Sequence, residues 1–182
     1  MNAVSRAIGA GRKLVTHFCH SALATTELQK RQKSMGLPSK RLQQDCPTRW
    51  NSTYYMVQSL LVNRWPLTAV LSDETITKWQ YRYLDLSSDN WMILEDLVKP
   101  LQSLEVATMF LSEEHNTSLS AVLPIVHGQV SQLVSTKDDS VTMRHFKVTV
   151  SSALRRRWSL DNIAPKKVSV LATALDATEV SF

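Results

Sequence analysis

Glycine and cysteine are both scarce in this chain of 182 residues, which contains 4 glycines, 6 prolines and 2 cysteines. So few turn-forming residues favour helices joined by short connections over a series of tight hairpins. The two cysteines, Cys19 and Cys46, lie far apart, and neither belongs to a Cys-x-x-Cys pattern. Since zinc sites need several ligands at close spacing, we expect reduced thiols and neither a metal nor a cofactor.

Long apolar runs and the common catalytic motifs are also missing. The sequence has no run of about 18 apolar residues, so we expect no membrane-spanning helix. The N-terminus lacks the apolar segment of a secretory signal. The sequence contains no Gly-x-Ser-x-Gly motif and no Gly-Lys-Ser/Thr phosphate loop. These absences argue against a serine nucleophile on such an elbow and against a phosphate loop.

Positive charge is concentrated near the N-terminus. The chain has 21 Lys and Arg against 16 Asp and Glu, which gives a net charge of +5. Within residues 1–44, Glu27 is the only acid. A basic region of this kind is either a solvated helix surface or a surface that contacts phosphates. The bases of this region are Arg6, Arg12, Lys13, Lys30, Arg31, Lys33, Lys40 and Arg41.

Apolar residues recur at helical spacing along most of the chain, and the pattern predicts a mainly α fold with one or two strands. Thr48 and Asp89 are predicted N-caps, and Gly36 should end the second helix. Residues 40–46 form a short extended candidate, because Pro47 disfavours a helical residue before it. The predicted helices cover residues 3–18, 21–34, 49–63, 66–71, 90–112, 119–134, 141–158 and 165–175.

Arg49 and Trp50 stand at the start of the third predicted helix. By spacing, Trp50 belongs to one apolar stripe with Tyr54, Val57 and Leu61, which indicates a core position. A tryptophan at a helix start can instead present its ring at the edge of a cleft and stack on an unpaired base. Arg49 would then hold the adjoining phosphate. The residues alone leave both interpretations open.

The Arg-Trp motif of hAT-superfamily DNA transposases is similar to residues 45–52, which read Asp-Cys-Pro-Thr-Arg-Trp-Asn-Ser. Zinc-finger BED-domain proteins, which are domesticated relatives of these transposases, share the motif. Residues 36–38 resemble the family's approach to it. The ordered series of matches is far more specific than any one block. Later segments that resemble the downstream blocks of BED-type members are 63–66, 83–86, 104–108, 119–124 and 171–176.

This resemblance implies a fragment of a ribonuclease-H-like domain together with its all-helical insertion. Residues 1–47 would be part of the ribonuclease-H-like core, with helices and one strand. Residues 48–182 would be the helical insertion, truncated at the C-terminus. In the family, three carboxylates bind divalent metal, two of them upstream of this region and one downstream of the insertion. We therefore expect a chain truncated at both ends, without the family's zinc finger, catalytic carboxylates or dimerisation region, and so not an enzyme.

The resemblance and the basic N-terminal region together predict a catalytically silent, nuclear fragment that binds DNA weakly and without sequence preference. The resemblance gives Trp50 a role in stacking on a flipped base, with Arg49 beside it. The alternative is a helical protein-interaction module without a DNA role, which would bind protein partners through exposed helical faces. The predicted DNA-binding residues are Arg49, Trp50, Arg12, Lys13, Lys30, Arg31, Lys33, Lys40 and Arg41.

Overall fold

The computed structural model describes residues 2–46, 48–49, 51–112 and 119–161, apart from the side chain of Leu119. These residues form α-helices and one 3₁₀ helix, so the predicted mainly α fold is confirmed for them. The chain divides into two compact units, Met1–Val98 and Lys99–Phe182. The predicted boundary between a ribonuclease-H-like core and an insertion at residue 47 stays a prediction.

The helices follow one another in a simple order along the chain. The first unit contains the helices up to the start of α5, and the second contains the rest of α5 with α6 and α7. The elements are α1 (Ala3–His20), α2 (Ala22–Ser34), α3 (Ser52–Val62), α4 (Arg64–Ser72), the 3₁₀ helix (Trp79–Leu84), α5 (Ser88–Ser112), α6 (Leu119–Gln132) and α7 (Val141–Trp158).

In the first unit, α1 packs against α2, α3 and the 3₁₀ helix, while α4 packs against α2 and the 3₁₀ helix. The buried residues of α1 recur every three or four positions, which is the pattern of one helix face. Most of the core side chains are aliphatic, so apolar burial is the main stabilising term. The largest inaccessible apolar side chains are Leu14, Phe18, Leu28, Met56, Leu60, Leu67, Leu71, Leu94 and Leu97.

Local capping chemistry sets both ends of α2. The hydroxyl oxygen of Ser21 accepts a hydrogen bond from the backbone N–H of Ala24 at 3.2 Å. At the other end, Gly36 adopts a positive φ of 71°, which glycine reaches without steric cost. The backbone N–H of Leu37 then donates to the carbonyl of Gln32 at 2.8 Å. The predicted end of this helix at Gly36 is confirmed.

Helix α3 begins later than predicted. It starts at Ser52 rather than at residue 49, and its N-cap residue, Asn51, makes no side-chain capping bond among the described residues. The predicted cap at Thr48 is therefore wrong, because residues 46–52 form turns before the helix starts. In these turns the N–H of Arg49 donates to the Cys46 carbonyl at 2.9 Å.

The segment 40–46 is not a strand, and no strand occurs elsewhere in the part of the chain that the structure describes. The predicted strand is wrong there because the backbone N–H groups of this segment donate to side chains on neighbouring helices instead of to another strand. These bonds join Lys40 to Gln32 Oε1 (3.1 Å), Gln43 to Ser59 Oγ (3.1 Å) and Cys46 to Ser52 Oγ (3.0 Å).

Gln32 is the centre of a buried polar network in the first unit. Its side chain is inaccessible to solvent. Its amide nitrogen donates to the Asn63 side-chain oxygen at 2.6 Å and to the Lys40 carbonyl at 2.8 Å. Asn63 in turn donates to the Ser59 carbonyl at 2.7 Å. Because the buried polar atoms are paired, the network fixes the 40–46 segment against α2 and α3 without a desolvation penalty.

In the second unit, α6 and α7 pack against each other around a small apolar cluster. The side chain of Ser103 on α5 lies against Gln129 of α6, with its hydroxyl 2.9 Å from the Gln129 side-chain oxygen. Lys147 and Asp139 form an ion pair at 2.7 Å with both side chains mostly buried. The predicted helix over residues 165–175 lies outside the described residues. The cluster consists of Leu123, Val126, Val130 and Leu160.

Candidate nucleic-acid interface

The loop that carries the Arg-Trp pair is built around the carboxylate of Asp45. This side chain is only 2% exposed, and one of its oxygens accepts a hydrogen bond from Arg12 Nε at 2.5 Å. The other oxygen lies 2.5 Å from the Ser52 hydroxyl and 3.1 Å from the Thr53 hydroxyl. Helix α1 supplies Arg12, and the first turn of α3 supplies both hydroxyls. The loop is therefore joined to two helices through one carboxylate.

Asp45 is ionised at neutral pH because its hydrogen bonds outweigh its burial. Burial is the largest single influence and raises the pKa of this carboxyl. Hydrogen bonds from Ser52 and Arg12, together with the charge of Arg12, act in the opposite direction and leave the pKa below its usual value. A buried carboxylate stabilised in this way holds the Arg12 guanidinium in a fixed orientation.

A cleft of about 400 Å³ opens beside this carboxylate. Asp45 engages only Nε of Arg12, whose side chain is 51% exposed. The two terminal nitrogens of Arg12 make no hydrogen bond to the residues that the structure describes. Guanidinium N–H groups and hydroxyls suit an oxyanion such as a phosphate. The lining residues are Arg12, Asp45, Cys46, Thr48, Arg49, Ser52 and Thr53.

Arg49 is exposed at this cleft. Beside it, Cys46 Sγ lies 3.1 Å from the Thr48 hydroxyl, and this hydrogen bond lowers the pKa of the Cys46 thiol. Trp50 lies outside the described residues. Both interpretations of Trp50, as a core residue and as a base-stacking residue, therefore stay open.

The predicted DNA-binding residues other than Trp50 fall into two groups. Arg12, Lys30 and Arg31 pair with acids: Arg12 with Asp45, Lys30 with Glu27 at 2.6 Å and Arg31 with Asp73 at 2.9 Å. The second group is exposed and forms no ion pair with any described residue, so its charges are available to a ligand. This group comprises Lys13, Lys33, Lys40, Arg41 and Arg49.

Three members of the second group lie on or beside α2. Lys33 belongs to its last turn. Lys40 is held there because its backbone exchanges two hydrogen bonds with the Gln32 side chain. Arg41 lies near Cys19, since its charge partly offsets the rise that burial causes in the pKa of that thiol. The 40–46 segment thus adds two cations to the α1–α2 hairpin.

Sequence reasoning missed the roles of Asp45, Ser52 and Thr53 in this site. A local signal existed, because a carboxylate shortly before two hydroxyl residues at a helix start is favoured by the helix dipole. No local signal pointed to Arg12 as a partner of Asp45, because the two residues lie 33 positions apart.

Neither a metal centre nor a membrane segment is found in the described part of the chain. No group of three or more His, Cys, Asp or Glu side chains could hold a metal ion there. Among the same residues, every helix is too short or too polar to cross a membrane.

Comparison with known proteins gives a consistent family signal. The family model described as the ZBED1 RNase-like helical domain matches residues 1–99, which include the whole first unit. Zinc finger BED domain-containing protein 6 of Mus musculus is 29% identical over 179 residues, 96% of this chain and 17% of that protein. The Homo sapiens protein of the same name is 28% identical over 179 residues, 96% of this chain and 18% of that protein.

Zinc finger BED domain-containing protein 4 of Homo sapiens is 27% identical over 124 residues, 68% of this chain and 10% of that protein. The chain therefore spans less than a fifth of the length of these curated relatives. No solved structure matches the chain.

Proposed function

Because the chain belongs to the zinc finger BED-type, hAT-derived family with the ZBED1 RNase-like helical domain, we propose that it is a nuclear nucleic-acid-binding segment without strand-cleaving activity. The observation that carries this proposal is the cleft beside Asp45. There Arg12 and Arg49, both exposed, line the same cleft. A phosphate of the nucleic-acid backbone would bind between the two guanidinium groups.

Asp45 is a positioning residue in this proposal. It accepts the Nε–H of Arg12 and leaves the terminal nitrogens of Arg12 for the ligand. A guanidinium whose orientation is already fixed loses little side-chain entropy when a phosphate binds. The Thr48 hydroxyl, also at the cleft, would donate to a remaining phosphate oxygen. Trp50 would stack on an unpaired base, as the family resemblance implies.

The exposed cations along α2 extend the proposed phosphate-binding surface beyond the cleft. Lys33, Lys40 and Arg41 have no ion-pair partner among the described residues, so they would contact further phosphates. Contacts of this kind set affinity and register but read no base sequence. We therefore expect weak binding without sequence preference, and affinity that falls as salt concentration rises.

Charge reversal at Lys33, Lys40, Arg41 and Arg49 together tests this surface. If all four contact phosphates, the slope of log affinity against log salt should be about −3.6, taking about −0.9 per contact. In the quadruple variant to glutamate, we expect binding of a labelled duplex to be lost and the slope to approach zero. Fluorescence anisotropy at several salt concentrations measures both quantities.

The matched control reverses four exposed bases of the second unit: Lys99, Lys137, Arg156 and Arg157. It changes the net charge of the chain by the same amount but leaves the proposed surface intact. Equal losses in both variants would mean that affinity follows net charge alone, and the assignment to the first unit would be wrong.

We further propose that the chain does not cleave nucleic acid. Two-metal cleavage needs carboxylates that converge on ions about 4 Å apart. Asp45 is the acid of the Arg-Trp loop, and its oxygens are already engaged by Arg12, Ser52 and Thr53. We expect no nicking of supercoiled plasmid with Mg²⁺ or Mn²⁺. Nicking that copurifies with the chain and disappears in Asp45→Asn would contradict this expectation.

One observation favours the alternative, a protein-interaction module. Val106, Met109 and Phe110 on α5 are 59%, 50% and 40% exposed, and their spacing puts them on one helix face. Partner binding through such a face is driven by apolar burial and is insensitive to salt. Nucleic-acid affinity that is absent, or flat across salt concentrations, would favour this second function.

A further inference from the structure

The 3₁₀ helix Trp79–Leu84 exposes two large aromatic rings that the proposed function does not use. Trp79 is 82% exposed and Tyr83 is 73% exposed. Tryptophan is on average a highly buried residue, so a ring this accessible is unusual. Both residues belong to the first unit but lie on a different element from the Arg-Trp loop.

The geometry of the 3₁₀ helix explains which residues point outward. With three residues per turn, positions three apart lie on the same side. Leu84 is buried and marks the side that faces the core. Tyr81, three residues earlier on this side, is 36% exposed and places its ring 4.7 Å from that of His17 on α1. The other two sides, which carry Trp79 with Arg82 and Gln80 with Tyr83, face solvent.

The short helix is firmly held although its rings are exposed. It packs against α1 and α4. Thr77, two residues before the helix, is buried, and its hydroxyl donates to the Val70 carbonyl at 2.8 Å. At the C-terminal end, the N–H of Asp85 donates to the Arg82 carbonyl at 3.0 Å. The rings are thus presented on a fixed backbone, which reduces the entropy lost on binding.

Cations alternate with the aromatic residues along this segment, where Lys78 precedes Trp79 and Arg82 precedes Tyr83. Lys78 is exposed and forms no ion pair with the described residues. Arg82 pairs with Glu74 at 2.8 Å, and the two side chains are 41% and 78% exposed. Such an exposed ion pair is weak, so another anion can readily replace Glu74 beside Arg82.

We propose that the 3₁₀ helix is a stacking platform for unpaired bases of single-stranded nucleic acid. Trp79 and Tyr83 would each stack on a base, while Lys78 and Arg82 would contact the phosphates between them. A protein partner fits less well, because the core of a protein interface is depleted in charged residues, lysine among them. Here Lys78, Gln80 and Arg82, the residues next to the rings, are polar and exposed.

Binding of fluorescein-labelled oligo(dT) and oligo(U) to the full chain tests this proposal. Trp79→Ala and Tyr83→Ala should each weaken single-strand binding about tenfold, the lower part of the range for loss of one stacked base. The two rings are exposed, so the melting temperature should not change. Affinity for a blunt duplex should stay within about twofold, because paired bases offer no free face.

Trp65→Ala is the matched control, since Trp65 is a comparably exposed tryptophan, at 68%, on α4. The guanidinium of Arg64 already lies 5.2 Å from its ring centroid. This variant should keep the affinity of the wild type. An equal loss in Trp65→Ala would contradict a specific role of the 3₁₀ helix, as would unchanged single-strand binding in the Trp79→Ala, Tyr83→Ala double variant.

Base stacking on the 3₁₀ helix is independent of phosphate binding at the cleft beside Asp45. Charge reversal at Lys33, Lys40, Arg41 and Arg49 would weaken binding of duplex and single strand alike, whereas loss of the two rings would weaken only single-strand binding. A platform that instead mediates contact between two copies of the chain would be revealed by sedimentation. In that case the double variant would sediment as a smaller species, and the nucleic-acid assignment would be wrong.

Discussion

Asp45→Ala is expected to lower the free energy of unfolding by about 3 kcal/mol, because it removes the common acceptor of one guanidinium and two hydroxyls. The carboxylate is almost inaccessible, so its bonds to these partners are only weakly screened by solvent. Arg12, Ser52 and Thr53 would each lose a partner. Urea denaturation followed by circular dichroism measures the change.

Asp73→Ala is the matched control for this loss. Asp73 also pairs with an arginine, Arg31, but its side chain is 24% exposed, so water can solvate the partners that remain. We expect a loss of about 1 kcal/mol. If the two variants unfold at the same urea concentration, burial of Asp45 does not determine the stability of the loop.

The same carboxyl should make stability depend on pH in the acid range. Its pKa in the folded chain is lowered by the hydrogen bonds from Ser52 and Arg12, which outweigh its burial. An unfolded aspartate has a pKa of about 3.9. The stabilisation is therefore complete above that pH and is lost as the pH falls through the folded pKa. Between about pH 5 and pH 2.5, the wild type should lose more unfolding free energy than Asp45→Ala.

Gly11→Leu should destabilise the chain by about 3 kcal/mol, since α1 and α3 leave no room for a side chain at this position. A Cβ atom on Gly11 would lie 2.9 Å from Leu60 Cδ1 and 3.7 Å from Met56 Cε. Both neighbours are themselves inaccessible to solvent, so they have no free space into which to move. A rise in the unfolded fraction at moderate urea concentration would be the measured effect.

Gly9→Leu provides the comparison on the same helix, two residues away. No described atom outside the local helix lies within 4 Å of a Cβ built there. Leucine also has a higher helix propensity than glycine by about 0.8 kcal/mol. We expect this variant to be as stable as the wild type or slightly more stable. If Gly9→Leu and Gly11→Leu destabilise the chain equally, helix propensity and not the contact with α3 controls this region.

The helices could be predicted because their signals are local. The predicted helix 141–158 has the bounds of α7, Val141–Trp158, and Gly36 ends α2 through its own backbone freedom. It was harder to predict which residues of a helix are buried in the core. In α3 the spacing points to Leu61 as a core residue, whereas Leu60 is fully buried and Leu61 only partly. Helix α3 begins late, at Ser52, and the helices packed against it determine which of its sides faces the core.

The candidate site could be predicted only in outline. Arg49 is exposed at a cleft, but the ion pairs of Arg12 with Asp45 and of Arg31 with Asp73 were not predictable. They join residues 33 and 42 positions apart, and only the folded chain brings such residues together. The 3₁₀ helix was also missed, because its aromatic residues follow neither a helical nor a strand period.

The Ser52 hydroxyl gives the Arg-Trp loop a choice of hydrogen-bonding states. It carries one hydrogen, yet three acceptors lie within its reach: Asp45 Oδ1 at 2.5 Å, the Cys46 carbonyl at 2.7 Å and the Arg49 carbonyl at 2.9 Å. Only one of them receives that hydrogen at any moment, and hydroxyl rotation is fast. The hydroxyl hydrogen therefore has an acceptor whichever of the three bonds forms, and the Arg-Trp loop keeps this donor satisfied in each of these states.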